Sequence, residues 1–148
     1  MLDRILIVCV GNICRSPMAE GLLRQRFARR GRGQVESAGL AALVGHVADP
    51  FAQALLAERG IDIAKHRARQ LTQALVTGVD LVIAMEDGHV REIEALVPGA
   101  RGRVHRIGKF GGFDVPDPYG EPRAEFEKAL ALIDRGLDDF DQAFWRDA

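Results

Sequence analysis

The stretch ILIVCVGNICRSP, residues 5–17, contains both cysteines of the chain. Its first six residues are apolar and mostly β-branched, which is typical of a strand covered on both faces in a parallel sheet. Cys9 stands near the end of this predicted strand. Because parallel α/β sheets bind ligands beyond the carboxyl ends of their strands, the sequence indicates a functional role for Cys9.

Strand and helix patterns alternate along the chain. Ser16 as N-cap, Pro17 at the first helical position and Gly31 as terminator predict a helix over residues 16–31. Further strands are predicted over residues 34–40, 79–85 and 103–110, and further helices over residues 49–60, with Asp49 as cap and Pro50 in the first turn, and over residues 86–98. A last helix has one apolar stripe at steps of three and four: Phe126, Leu130, Ile133, Leu137, Phe140 and Phe144. This alternation predicts an α/β fold with a parallel sheet.

The length and net charge of the chain restrict its domain organisation and its partners. The 148 residues fit one domain, which we assign to residues 1–148. The formal net charge of −1 provides no basic field, so neither nucleic acid nor an anionic membrane is an expected partner. The N-terminal apolar run is too short to span a membrane and lacks the flanks of a signal peptide, so we expect a cytoplasmic protein without membrane insertion.

The loop between the first strand and the first helix has the composition of an anion cradle. Cys9 and Cys14 have the spacing of neither a C-x-x-C redox motif nor a zinc site. Gly11 and Asn12 are residue types that tolerate positive φ, so we expect them to fold the loop back on itself. Backbone N–H groups then point into one concavity, and the helix N-terminus adds partial positive charge. The loop therefore predicts a site for one phosphate, with a thiol at its base.

Arg15 and Ser16 complete the predicted chemistry of this loop. The Arg15 guanidinium is a planar fork that matches two phosphoryl oxygens. Together with the amide dipoles and the helix end, it favours the thiolate of Cys9 over the thiol, and the Ser16 hydroxyl can donate to the sulfur. A thiolate held against a phosphoryl group predicts nucleophilic phosphoryl transfer.

A departing oxygen needs a proton, and DVPDPYG, residues 114–120, contains the candidate acids. Asp117 lies between two prolines that stiffen its loop, and Tyr119 follows it. Two alternatives stay open: Asp117 as a turn or helix-capping residue, and Asp114 as the acid. The four histidines are scattered, and we assign none of them a catalytic part: His46, His66, His89 and His105.

VCVGNICRSPMAE, residues 8–20, resembles the signature V-C-x-G-N-x-C-R-S-P-x-A-E of the low-molecular-weight protein tyrosine phosphatases. PDPYG is similar to the general-acid loop of that family, and SAGL, HRARQL and DLVIAMED fall where its other landmarks do. The resemblance covers essentially the whole chain. It implies a single α/β domain with a four-stranded parallel sheet flanked by helices, of the Rossmann/flavodoxin-like kind.

The resemblance also implies a role for each matching residue. Cys9 would be the nucleophile, Arg15 the phosphate clamp and Asp117 the proton donor, with a phosphocysteine intermediate and no metal or organic cofactor. The implied phosphate- and substrate-binding residues are Val10, Gly11, Asn12, Ile13, Cys14, Ser16, Leu43 and Tyr119. Asn12 and Ser16 would order the loop and the thiolate. Cys14 matches a cysteine that forms a reversible disulfide in the family, and simple loop packing is the alternative.

AGLAALVGHVADP, residues 38–50, resembles the bacterial branch of this family that is tied to capsule and exopolysaccharide production. Leu43 stands where eukaryotic relatives usually place a cleft-wall aromatic, and Tyr119 is the candidate for the opposite wall. The alternative is that both are ordinary exposed loop residues. The implied partner is a phosphotyrosine protein, namely a tyrosine autokinase of polysaccharide export, and the product is inorganic phosphate.

Two other functions use similar loops. A thiol-linked arsenate reductase passes oxidising equivalents to cysteines outside the loop, whereas both cysteines of this chain lie within it. A non-catalytic phosphotyrosine-binding module needs neither a nucleophile nor an acid, so the presence of Cys9, Arg15 and Asp117 together argues against it.

Overall fold

The computed structural model describes residues 2–146, so the ends of the predicted domain, residues 1, 147 and 148, lie outside the described residues. The elements are β1 (Arg4–Cys9), α1 (Arg15–Arg30), β2 (Gln34–Gly39), α2 (Pro50–Ala57), α3 (Gln73–Thr77), β3 (Leu81–Ala84), α4 (Asp87–Leu96), β4 (Val104–Arg106) and α5 (Arg123–Phe140). A short 3-10 turn, Pro98–Ala100, precedes β4, and a π turn, Asp141–Trp145, follows α5.

The four strands form one parallel sheet in the order β2-β1-β3-β4, which confirms the predicted fold class. Strand β1 lies inside the sheet, with Cys9 opposite Gly39 of β2 and Val8 opposite Ala84 of β3. The carboxyl ends of these three strands therefore meet at one edge, where the loop after β1 begins.

Two apolar layers cover the sheet. Ile5 and Ile7 of β1 belong to a core cluster shared with α1, α2 and α5, whereas Leu6 and Val8 belong to a cluster shared with α3 and α4. Because successive strand residues point to opposite faces, an unbroken apolar run suits a strand buried on both sides. None of the helices described within residues 2–146 is long and apolar enough to cross a membrane.

The predicted helix signals are mostly confirmed. Asp49 is the N-cap of α2 and accepts from the Phe51 N–H at 2.9 Å, and Gly31 ends α1 in the left-handed conformation. The first strand keeps its predicted length but begins one residue earlier, and the other three strands are shorter than predicted. The fourth ends at Arg106 because the chain then turns, with the Gly112 N–H donating to the Gly108 carbonyl at 2.7 Å.

The apolar stripe of the last helix is confirmed except at its end. Phe126, Leu130, Ile133, Leu137 and Phe140 are buried, but Phe144 is exposed and Trp145 is buried in its place. The π turn closes with a bond from the Arg146 N–H to the Asp141 carbonyl at 2.7 Å. Its wider turn shifts the helical register by about one residue, and the prediction assumed an uninterrupted 3.6-residue period.

Candidate active site

The predicted anion cradle, residues 9–16, lies at the carboxyl edge of the sheet between β1 and α1. Asn12 has a φ of 60° and is the one non-glycine residue with positive φ among residues 2–146. Gly11, for which we also predicted positive φ, does not adopt it, so that prediction is wrong and Asn12 alone reverses the chain. The backbone N–H groups of residues 11–14 donate to no backbone carbonyl of the described chain, which leaves them available to an anion.

Three hydrogen bonds with distant residues hold Asn12 in this conformation. The Arg69 N–H donates to Asn12 Oδ1 at 2.9 Å, and His66 Nε2 donates to the Asn12 carbonyl at 2.7 Å. Because a carbonyl oxygen only accepts, His66 carries a hydrogen on Nε2. Asn12 Nδ2 donates to Ser37 Oγ at 3.0 Å. These bonds offset the cost of the left-handed backbone.

The same network leaves the Ser16 hydrogen free to be donated to the sulfur. Asn12 Nδ2 also donates to Ser16 Oγ at 2.8 Å, and Ser37 Oγ donates to Glu20. Ser16 Oγ lies 2.9 Å from Cys9 Sγ, and because it only accepts from Asn12, its own hydrogen can be donated to that sulfur. A hydroxyl that donates to sulfur stabilises the thiolate. Ser16 is thus not the helix N-cap that we predicted, since α1 begins at Arg15 and no side chain caps it.

Among residues 2–146, Arg15 is the largest fully buried side chain, with 1% of its surface exposed. Its NH1 donates to Glu86 and, at 2.8 Å, to the Val115 carbonyl. Its Nε is buried and has no hydrogen-bond partner within the described chain. Because an unpaired buried donor is costly, this N–H is consistent with a donor kept for a ligand oxygen.

Glu86 neutralises Arg15 from the end of β3, and His89 lies behind it on α4. His89 Nε2 lies 3.7 Å from Glu86 Oε2, the oxygen that Arg15 contacts. Burial and the positive charge of Arg15 lower the pKa of His89, and Glu86, Glu92 and Asp114 oppose this only in part. The imidazole is therefore favoured in its neutral form, which leaves the Glu86 carboxylate to Arg15.

The acid loop, residues 114–120, brings Asp117 to the mouth of the cradle. Asp117 Oδ2 lies 3.7 Å from Arg15 NH2, and its side chain is 47% exposed. Asp114 is engaged elsewhere: Arg106 and the Asp87 N–H donate to it at 2.8 and 3.0 Å. Burial raises the pKa of Asp114, but these two bonds outweigh it and hold that pKa below its usual value. The structure therefore favours Asp117 over Asp114 as the acid.

A cleft of about 180 Å³ brings together the predicted thiol, arginine, acid and wall residues. Its lining consists of Cys9, Val10, Gly11, Ile13, Cys14, Arg15, Ala41, Leu43, Asp117 and Tyr119. Asn12 and Ser16 are not in this lining, because they are buried behind the loop and support it from within. Ala41 is a lining residue that no sequence pattern indicated.

Cys14 lies in the cleft lining but differs chemically from Cys9. Both cysteines are free in this structure. Burial raises the pKa of the Cys14 thiol well above its usual value, and the negative charges of Asp49 and Asp117 act in the same direction. Cys14 is therefore held as a thiol, in an environment typical of a packing residue.

Sequence reasoning assigned no role to several residues that support the site. They are Glu20, Ser37, His66, Glu86 and His89, together with the backbone of Arg69. His66 lies in HRARQL and Glu86 in DLVIAMED, two stretches already noted as landmarks. Their contacts join residues 54 and 71 positions apart, so local patterns carried no signal for them.

An anion cradle with a thiol at its base and a buried arginine beside it is the arrangement of phosphatases that use a cysteine, and the fold and site place the protein in that class. The sequence profile of the family described as "Low molecular weight phosphotyrosine protein phosphatase" matches residues 4–148. The chain belongs to this family and is a protein-tyrosine-phosphatase.

Individual relatives agree with this assignment. The chain is 49% identical over 138 residues to the probable low molecular weight protein-tyrosine-phosphatase EpsP of Ralstonia solanacearum, covering 93% of each chain. It is 40% identical over 144 residues to the phosphatase Wzb of Escherichia coli, covering 97% of this chain and 96% of the relative. The solved structure of Vibrio vulnificus Wzb with benzylphosphonate has a TM-score of 0.91 at 36% identity, covering 97% and 100% of the two chains.

Proposed function

We propose that the protein hydrolyses phosphotyrosine through a phosphocysteine intermediate formed on Cys9. The observation that carries this proposal is the unpaired Nε of Arg15 in the same cleft as the Cys9 thiol and the Asp117 carboxyl group. Arg15 NH1 is already engaged by Glu86 and Val115, so Nε and NH2 form the fork that faces the phosphoryl oxygens.

In the first step, Cys9 Sγ attacks phosphorus in line with the ester bond. The S–P bond forms, the bond from phosphorus to the tyrosine oxygen breaks, and Asp117 donates its proton to that oxygen. The N–H groups of residues 11–14 and the Arg15 guanidinium stabilise the equatorial oxygens, whose charge they are placed to match.

In the second step, water attacks the phosphocysteine. The Asp117 carboxylate takes a proton from the water, the new O–P bond forms, and the S–P bond breaks to release inorganic phosphate. The departing sulfur regains its hydrogen bond from Ser16 Oγ, at the 2.9 Å separation of the free site. That bond makes the thiolate a better leaving group.

We further propose that the substrate is a tyrosine autokinase that controls exopolysaccharide or capsule synthesis and export, and that the protein acts in the cytoplasm. The support is the resemblance of residues 38–50 to the bacterial capsule-associated branch of the family. The Leu43 and Tyr119 side chains in the cleft lining suit the aromatic ring of a phosphotyrosine on such a protein.

The test is phosphate release from matched phosphotyrosine, phosphoserine and phosphothreonine peptides by the purified protein. We expect turnover of the phosphotyrosine peptide and little of the others, because only a long aromatic ester reaches the base of the cleft. Acid quenching during turnover should trap phosphate on Cys9, as detected by peptide mass. Arsenate reduction in the presence of thiol, or turnover without any phosphoenzyme, would contradict the proposal.

A further inference from the structure

Apolar exposure is concentrated beside the cleft. Six of the nine large apolar side chains exposed within residues 2–146 belong to the cleft lining or to the chain that follows it: Val10, Leu43 and Tyr119 line the cleft, and Val44, Val47 and Phe51 are the next exposed large apolar residues after Leu43 in the sequence. Val44 and Val47 are 66% and 45% exposed. Scattered apolar residues are ordinary on a surface, but an exposed cluster beside a binding cleft indicates an interaction surface.

We call Val44, Val47 and Phe51 the apolar shelf, and its backbone is held in place. The Leu43 N–H donates to the Gly11 carbonyl at 3.0 Å, and the Asp49 N–H donates to the Ile13 carbonyl at 2.8 Å. Between them, Ala68 exchanges two bonds of 2.9 Å with the same segment. The shelf is therefore tied directly to the cradle, so a ligand pays little to order it.

Charge is absent from the segment that carries most of the shelf. Residues 40–48, LAALVGHVA, contain no Asp, Glu, Lys or Arg, although 28% of the whole chain is charged. When the phosphate of a protein substrate lies in the cradle, the residues next to the phosphotyrosine lie outside the cleft. Leu43 lines the cleft, and the shelf begins at the next residue of the chain. The complementary group is an uncharged apolar or aromatic side chain.

We propose that the apolar shelf binds an apolar or aromatic residue that flanks the phosphotyrosine of the protein substrate. This inference rests on the proposed function of the cleft and specifies which phosphotyrosine segments it selects. None of the shelf residues lines the cleft that would receive the aryl ester, so we expect small aryl phosphates to gain nothing from the shelf.

The test uses two phosphotyrosyl peptides of equal length and charge, one with leucines and one with serines on either side of the phosphotyrosine. For the wild-type protein we expect kcat/KM to be about fivefold to tenfold higher for the leucine peptide, mainly through KM, as partial burial of one apolar side chain allows. The Val44→Ser/Val47→Ser double variant should reduce this preference to within about twofold.

The controls separate the shelf from the cleft. Hydrolysis of p-nitrophenyl phosphate by the double variant should stay within about twofold of wild type, because both replaced side chains are exposed. Leu96→Ser, which removes an exposed apolar side chain at the end of α4, should keep the full peptide preference.

The possible failures are distinguishable. If the wild-type protein does not hydrolyse p-nitrophenyl phosphate, the proposed function itself is overturned. Normal hydrolysis of that compound with equal kcat/KM for both peptides overturns the docking proposal alone. Sedimentation provides the remaining outcome: a wild-type dimer that the double variant converts to a monomer would assign the shelf to a second copy of the chain and overturn the proposal.

Discussion

The cradle and the acid loop sit on opposite sides of one cleft but are held very differently. In the cradle, residues 9–16, every residue except Val10 and Gly11 is buried. In the acid loop, residues 114–120, all except Val115 and Pro118 are exposed. The groups that we propose to bind phosphate are thus preorganised in the core, whereas the proposed proton donor, Asp117, lies at the solvent edge.

Val115 links the two regions. Its N–H donates to the Met85 carbonyl at 2.9 Å, and its carbonyl accepts from Arg15 NH1 at 2.8 Å. The acid loop is therefore fixed two residues before Asp117, and beyond that point Asp117 is held by its 3.1 Å bond from the Tyr119 N–H. Substitutions in the cradle should affect every substrate, whereas substitutions in the acid loop should affect substrates according to their leaving groups.

The largest expected effect comes from removing the sulfur. Cys9→Ser should lower phosphotyrosine turnover by roughly 10⁴-fold or more, because a serine hydroxyl in this site is not ionised at neutral pH. The cradle itself should survive, so the variant should still bind phosphate or sulfate, as measured by calorimetry. A serine variant with near-normal turnover would show that the sulfur is not the nucleophile.

The second prediction concerns the acid. Asp117→Asn should lower kcat for phosphotyrosine by roughly 10²- to 10⁴-fold, the usual contribution of general acid catalysis. The loss should shrink for p-nitrophenyl phosphate, whose leaving group departs without a proton. The measurement is kcat across a series of aryl phosphates, and an equal loss for every leaving group would exclude Asp117 from this role.

The sequence predicted the residues of the cradle better than the residues that hold the cradle in place, and the reason is physical. Cys9, Asn12, Arg15 and Ser16 lie within eight consecutive residues, where spacing alone determines which groups face one anion. The hydrogen-bond partners of these residues belong to other parts of the chain, and only tertiary packing determines which side chains lie close enough to bond. Ser16 illustrates the difference: its local sequence favours a helix cap, but its hydroxyl is bonded to Cys9 instead.

The acid loop was less predictable because its sequence allows two carboxyl groups. Asp114 and Asp117 are three residues apart, and only the fold shows that Arg106 and the Asp87 N–H bond to Asp114.

The helical register at the end of α5 was the other feature that the sequence did not predict. The wider turn after α5 moves Trp145 into the core in place of Phe144, and nothing in the periodic pattern indicates such a turn.

The third prediction tests whether Asn12 fixes the cradle. Asn12→Gly keeps a residue that tolerates a φ of 60° but removes the amide, so it should lower the free energy of unfolding by about 1–3 kcal/mol. Asn12→Ala adds the strain of the left-handed backbone, about 1 kcal/mol or more beyond the glycine variant. Urea unfolding of both variants measures the difference. Equal stability of the two variants would show that the backbone conformation of Asn12 imposes no strain.

The smallest expected effect is at Asp114. Asp114→Asn should change kcat only a few-fold and leave its dependence on the leaving group intact, since Asp117 remains. Because the fold lowers the pKa of Asp114, its carboxylate stabilises the folded state fully above the ordinary pKa of 3.8, and this contribution is lost progressively as the pH falls below 3.8 and through the lowered pKa of the folded state. The side chain is 43% exposed, so the effect on unfolding at pH 7 should stay below about 1 kcal/mol. Urea unfolding at pH 7 and near pH 3 should therefore show a small difference in stability from wild type that decreases in acid. Asp114→Asn could instead cause a loss of activity that depends on the leaving group and is as large as that expected for Asp117→Asn. That result would make Asp114 the proton donor.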